Sequence, residues 1–255
     1  MDETLLSRIE DASLNASAPP QQRWMDGWLV RFSPGKAKRA RCINAVAEGR
    51  MTLEQKLRLA AAVFDEAELP MVVRLTPFSR PAGLDDALAA RGFTTMDDTR
   101  VMVCTELPAS APPLPDGCGW KALDPAAFAE TVGVLRGSPP LQRQAHAERL
   151  GASPVRYHGF GITREADGAV LACGQFARES ELVGLYDVFT DERARNQGLA
   201  RVLCQRLLSL AASKGAMVGY LQVEADNTPA RRAYTRLGFA DGYTYHYRVA
   251  PGVRA

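Results

Sequence analysis

Apolar residues recur every three to four positions along two separate stretches of the chain. Leu53, Leu57, Ala61 and Phe64 form the first set, and Leu199, Leu203, Leu207 and Leu210 the second. That spacing predicts a helix with one buried face in each stretch. Each is followed by a short apolar run that reads as a strand, Met71 to Leu75 and Met217 to Val223. A second helix follows in each case and stops at a glycine, in Arg91-Gly92-Phe93 and in Leu237-Gly238-Phe239. Glycine suits the left-handed residue that ends a helix, and the Phe opens the next strand. The two stretches align without gaps at an offset of about 146 residues, Leu75 falling opposite Leu221. The chain therefore reads as a diverged internal repeat of strand, helix, strand, helix and strand.

The break between the copies runs from Leu107 to Gly117 and is rich in proline, which removes backbone donors and fixes φ. Residues 1–107 are expected to form one domain, 108–118 a linker and 119–255 a second domain. The second copy has a front end of its own. Asp124 to Leu150 predicts two short helices split near Gly137-Ser138-Pro139-Pro140. Strands are expected at Val155 to Thr163, Ala169 to Arg178 and Leu182 to Thr190, the first two joined by a turn at Ala166-Asp167-Gly168. The order implies an α/β (α+β) fold, a mixed sheet covered by helices on both faces.

Composition narrows the function. A formal charge of +2, with scattered Lys and Arg, argues against a nucleic-acid surface. No run approaches the roughly 18 apolar residues that span a bilayer, and Met1-Asp2-Glu3-Thr4 lacks the start of a secretory signal. A soluble, cytoplasmic protein without nucleic-acid or membrane partners is expected. Its five cysteines and three histidines are widely spaced, so neither a disulfide framework nor a metal site is suggested. Cys173 and Cys204 sit in apolar stretches and read as buried fillers.

Chemistry concentrates in the second copy. Asp191-Glu192-Arg193-Ala194-Arg195-Asn196-Gln197-Gly198-Leu199-Ala200 joins the strand ending near Thr190 to the Leu199 helix. The first amides of a helix lack partners, and its dipole adds positive charge, so this junction suits a diphosphate. Gly198 lets the backbone approach the ligand. Further on, Asn227-Thr228-Pro229-Ala230 predicts a capped helix start, with Asn227 or Thr228 as the cap. Tyr234 is seven residues beyond Asn227, close to two turns, so the two share a side of that helix.

These residues resemble the GNAT superfamily of N-acetyltransferases. Arg195-x-x-Gly198-x-Ala200 is similar to its pyrophosphate loop, and Asn227-x-x-Ala230-x-x-x-Tyr234 with Leu237-Gly238-Phe239 is similar to its second cofactor motif. The resemblance covers about Trp120 to Val249, and the first half looks like the degenerate N-terminal repeat of two-domain bacterial members. It implies that acetyl-CoA lies between the strand ending near Thr190 and the strand through Val223. Its pantetheine would pair with backbone at Val188, Phe189 and Thr190, and its diphosphate would meet amides from Arg195 through Asn196, Gln197, Gly198 and Leu199 to Ala200. Asn227 and Ala230 would contact the cofactor arm, and Tyr234 would point at the sulfur. A backbone N–H near Val188 or Phe189 could stabilise the oxyanion, and the Tyr234 hydroxyl could protonate the departing thiolate. For the base that frees the amine, Glu224 comes first, followed by Asp187, Tyr186 and His158, with a water chain as the alternative.

In the first copy, Gly49, Thr52 and Glu54 replace Arg195, Gly198 and Ala200, while Pro81 and Leu88 replace Asn227 and Tyr234. Thr52-Leu53-Glu54-Gln55 resembles a capping box, which would satisfy the amides a diphosphate needs. This half is expected to bind no acyl-CoA and instead to extend the sheet and wall the acceptor cleft. The basic run Lys36 to Arg41 could attract an acidic acceptor or be a solvated loop. The leading expectation is an acetyl-CoA-dependent N-acetyltransferase, monomeric or homodimeric, acting on a small-molecule amine or a peptide N-terminus without a metal. An acyl-CoA sensor without turnover and a non-catalytic scaffold are the alternatives. The acceptor pocket is expected to draw on Gly137 to Leu150, the turn between Phe176 and Leu185, and the first half.

Overall fold

The structure is a computed structural model that describes residues 1–33 and 37–252. The first half forms α1 (Glu3–Ala16), β1 (Gln22–Met25), β2 (Trp28–Arg31), β3 (Ile43–Ala45), α2 (Leu53–Glu66), β4 (Val72–Leu75), α3 (Leu84–Ala89) and β5 (Thr94–Cys104). The second forms β6 (Cys118–Leu123), α4 (Pro125–Leu135), α5 (Pro140–Gly151), β7 (Tyr157–Arg164), β8 (Val170–Glu179), β9 (Leu182–Thr190), α6 (Leu199–Ala212), β10 (Val218–Glu224), α7 (Thr228–Thr235) and β11 (Ala240–Val249). The repeat is therefore present as β3-α2-β4-α3-β5 and β9-α6-β10-α7-β11. It also extends upstream, because β1-β2-β3 and β7-β8-β9 are both antiparallel meanders followed by a parallel partner, β4 and β10.

By contacts the chain divides into two compact units that are not consecutive segments. The larger comprises Met1–Ala16, Val101–Val223 and Asn227–Gly242, and the smaller Ser17–Arg100, Glu224–Asp226 and the chain from Tyr243. Strand order is β5-β10-β9-β8-β7-β6 in the larger unit and β1-β2-β3-β4-β11-β5 in the smaller. Helix α1 thus joins the unit built mainly from the second half, and the end of β11, from His246 to Val249, pairs with β4 in the other. A division at residues 107 and 119 follows the chain, and a division by contacts does not.

In the larger unit, Leu199, Leu203 and Leu207 of α6 are buried with Cys204, Leu208 and Ala211 against Phe176, Val183, Leu185 and Leu221 of the sheet. At about 25 cal/mol per Å² of apolar area, such a stripe is what holds a 14-residue helix that would be marginal alone. In the smaller unit the buried face of α2 is rotated from its expected position. Lys56, Ala60, Val63 and Phe64 are buried, while Leu53 and Leu57 lie at the margin. The reason is polar. Lys56 Nζ donates to the Asp26 carbonyl at 2.7 Å, lies 3.3 Å from the Asp26 carboxylate and sits 5.2 Å above the Trp28 ring. These partners take an ammonium out of water that the sequence pattern would have left outside. Gly92 and Gly238, with φ of 81° and 89°, stand where the second helix of each half gives way to a strand. Of the basic run, Lys36 lies outside the described residues, and Lys38 pairs with Asp97.

Candidate active site

The site is built where two parallel strands part. β9 and β10 pair from Leu182–Val218 to Leu185–Leu221, and beyond that β9 runs on to Thr190 without β10 beside it. The parting coincides with a bulge, because Gln175 of β8 faces Tyr186 while Cys173 faces Phe189, leaving two residues opposite one. Asp187 has a φ of 51° there. The bulge resets the alternation. Leu185 and Val188, three apart, both join the core under α6. Tyr186 contacts the aromatic rings of Tyr157 and Tyr220, and Asp187 reaches the α4–α5 region.

Past Thr190 the chain makes a 3-10 turn at Glu192–Ala194 and enters α6 through Asn196 (φ 62°) and Gly198 (φ 75°). No side chain caps α6. Among the described residues, the backbone amides of Asn196, Gln197, Gly198, Leu199 and Ala200 have no acceptor. A Cβ built on Gly198 would meet nothing within 4 Å, so it is the left-handed φ that calls for glycine here. Arg195 lies 5.9 Å from the Phe189 ring centre, and its pair with Glu192 is solvent-exposed and so contributes little to stability.

The smaller unit holds an internal control. At the repeat offset, Asn196, Gln197 and Gly198 correspond to Arg50, Met51 and Thr52. Here the amides are taken: Arg50 and Met51 both donate to the Asp26 carboxylate at 2.8 Å, and Thr52 donates to Gln55 Oε1 at 2.9 Å. Gln55 N–H in turn donates to Thr52 Oγ1, completing the capping box. Leu88, opposite Tyr234, is wholly buried. Those backbone bonds, and then Lys56, hold the Asp26 carboxyl below its usual range. A depressed folded-state pKa gives stability that is present above the unfolded value of about 3.9 and is lost as pH falls through the folded one. Melting of the wild-type protein should therefore fall more steeply below about pH 4 than melting of Asp26→Asn, followed by circular dichroism.

Helix α7 starts as expected, with Asn227 as its cap accepting from the Ala230 amide at 3.2 Å. Tyr234 and Ala230 pack on the core beneath α6, and the Tyr234 ring meets Phe239 edge-on at 6.1 Å. The phenol hydroxyl has no hydrogen-bond partner among the described residues. Burial, with Cys204 nearby, pushes its pKa well above the usual value, so it stays protonated at neutral pH. Cys204 and Cys173 are buried, and burial drives both thiols up to about 12. They are inert fillers.

The four residues considered as base fall in different places. Glu224, the last residue of β10, is exposed, and its carboxylate has no polar partner among the described residues. The Tyr186 hydroxyl shares a hydrogen bond with Tyr220 at 2.9 Å. His158 is stacked on Phe176 over in β7 at 4.8 Å. Asp187 is held by Arg136 Nη1 at 2.9 Å, by Gln175 Nε2 at 2.9 Å and by His146 Nε2 at 3.3 Å. Burial alone would raise its pKa, but the His146 contact and the Arg136 charge hold it far below the carboxylate range. Sequence reasoning missed Arg136, His146 and Gln175, although His146 lies within the segment assigned to the acceptor pocket.

Among the described residues no group of three or more His, Cys, Asp or Glu side chains could hold a metal ion, and no helix is long and apolar enough to cross a membrane. The smaller unit has an open cavity of about 500 Å³ lined by Thr76–Pro77, Ser79–Asp86 and β11 residues, in which His246 is bound to Asp85 at 3.0 Å.

Residues 128–239 match the profile of the acetyltransferase (GNAT) family. The chain is 29% identical over 237 residues to a mycothiol acetyltransferase of Gordonia bronchialis, covering 90% of this chain and 70% of that one. Its fold is similar to a GCN5-related N-acetyltransferase from Kribbella flavida, with a TM-score of 0.70, 18% identity and coverage of 97% and 96% of the two chains. It is also similar to a tandem GNAT protein from the clavulanic acid biosynthesis pathway, with a TM-score of 0.63, 14% identity and coverage of 79% and 70%.

Proposed function

Through residues 128–239 the chain belongs to the acetyltransferase (GNAT) family, and from that premise we propose that its larger unit transfers an acetyl group from acetyl-CoA to a primary amine. The observation that carries this reading is the contrast between two equivalent loops. Five successive amides from Asn196 to Ala200 lack acceptors, whereas in the smaller unit the counterparts of the first three, Arg50, Met51 and Thr52, are filled by Asp26 and Gln55. Unpaired amides at a helix start, with the dipole behind them, suit a diphosphate. The carboxylate of Asp26 stands where a phosphate would, so the smaller unit takes no acyl-CoA, and titration calorimetry should give one acetyl-CoA per chain.

In this reading the free edge of β9 at Val188, Phe189 and Thr190 pairs with pantetheine, and Arg195 to Ala200 hold the diphosphate. Asn227 and Ala230 line the cofactor arm. The amine nitrogen attacks the thioester carbonyl, and a backbone N–H at the bulge receives the growing charge on oxygen. The C–S bond then breaks, and the thiolate takes the proton of Tyr234. The acceptor is a small-molecule amine or a peptide N-terminus. A cytoplasmic location accords with cysteines that are all unpaired.

Release of CoA thiol from acetyl-CoA, followed against a panel of primary amines, tests the proposal. Amine-dependent release from the wild-type protein is expected. Acetyl-CoA binding without release on any amine would favour a sensor, and no binding at all would favour a scaffold. Binding is read as a thermal shift, since ligand at 100 times its Kd adds about 2.7 kcal/mol.

A further inference from the structure

We propose that His146 is the base that takes the proton from the acceptor amine, and that Asp187 is the positioning residue that orients its ring. This rests on the acyl-transfer reading above. His146 lies on α5 and Asp187 at the bulge of β9, next to the backbone assigned to the oxyanion. Nε2 of His146 is closed off from solvent and 3.3 Å from Asp187 Oδ2, off the line of a full hydrogen bond. The negative charge of the carboxylate favours the ring proton on the nitrogen nearer to it, so the neutral ring carries its proton on Nε2. Nδ1 then holds the free lone pair, and it is not among the closed-off atoms. A carboxylate fixing one nitrogen while the other takes a proton is the division of labour in a His–Asp pair.

The surroundings support this assignment over the other residues considered. Asp187 itself is tied to Arg136 and Gln175, and its carboxyl resists protonation. The ring meets Asp187 from β9, which is itself paired with Arg136 beyond the end of α4, and Phe128 of α4, whose ring is edge-on at 6.5 Å. Arg149, further along α5, adds positive charge at Asp187, and Glu130 is occupied by Arg143 at 2.9 Å. In the reaction, Nδ1 takes a proton from the attacking nitrogen as the N–C bond forms, and the C–S bond breaks as Tyr234 protonates sulfur. The imidazolium returns its proton through solvent to the tyrosinate. The net change is amine plus acetyl-CoA to N-acetylamine plus CoA thiol.

Nitrogen-15 NMR of histidine-labelled protein tests the pair without an acceptor, because the chain has only three histidines. Neutral His146 should carry its proton on Nε2, and Asp187→Asn should shift the tautomer balance of that ring. Kinetics with benzylamine, glucosamine, spermidine and an alanyl peptide test the role. His146→Asn should lower kcat by about 10²- to 10⁴-fold on the fastest of these amines, leave acetyl-CoA binding intact, and regain rate with rising pH as free amine accumulates. A neutral ring protonated on Nδ1, or an unchanged kcat in His146→Asn, would overturn the proposal. If the wild type bound no acetyl-CoA, the acyl-transfer reading would fall and the base assignment with it, while the tautomer would still report on the pair.

Discussion

Replacing Tyr234 with phenylalanine is expected to lower kcat by about 10²- to 10⁴-fold, or about 2.7–5.5 kcal/mol of barrier. The substitution removes one oxygen and keeps the ring. Packing on Phe239 and on the core under α6 is retained. The hydroxyl has no partner among the described residues whose loss would destabilise the fold. Melting temperature and acetyl-CoA affinity should therefore stay close to wild type, and the loss should appear in kcat. That separation matters, because a variant that lost affinity or stability in parallel would say nothing about proton donation. Stopped-flow thiol release and calorimetry on the same preparation check it. An unchanged kcat would remove Tyr234 from the mechanism.

The second large effect concerns charge at the amide cluster. Gly198 takes a left-handed φ of 75° with open space where a Cβ would stand. Asn and Asp both tolerate that backbone better than other residues and have nearly the same size. Gly198→Asn should thus be a mild change, whereas Gly198→Asp adds a negative charge beside the diphosphate. At a separation of roughly 5 Å and an effective dielectric of 20–80, that charge costs about 1–3 kcal/mol, or about fivefold to 150-fold in Kd. The gap between the two variants should narrow as salt is raised. Equal affinities in calorimetry would mean that the diphosphate is held elsewhere.

Much of this architecture could be read along the chain because it is local. The α6 stripe, the glycines at 92 and 238, the capping box at Thr52 and the cap at Asn227 all depend on spacings of a few residues. Strands β1, β2 and β6 went unread because they are only four to six residues long and carry little periodicity. The bulge at Asp187 was hidden for a different reason. A strand pattern alternates with period two, and one inserted residue moves the following side chains to the other face without leaving a mark in composition. The cluster around Asp187 was therefore assembled from residues 12 to 51 positions away. Asp26 is likewise 24 residues from the first amide it occupies, so the filled loop could be foreseen only in part, through its capping box.

The most direct test is a structure determined with CoA bound. Diphosphate oxygens should lie about 3 Å from amide nitrogens between Asn196 and Ala200, with the sulfur within about 4 Å of the Tyr234 hydroxyl. A CoA whose diphosphate sits away from those amides, or whose sulfur is remote from that phenol, would contradict the account.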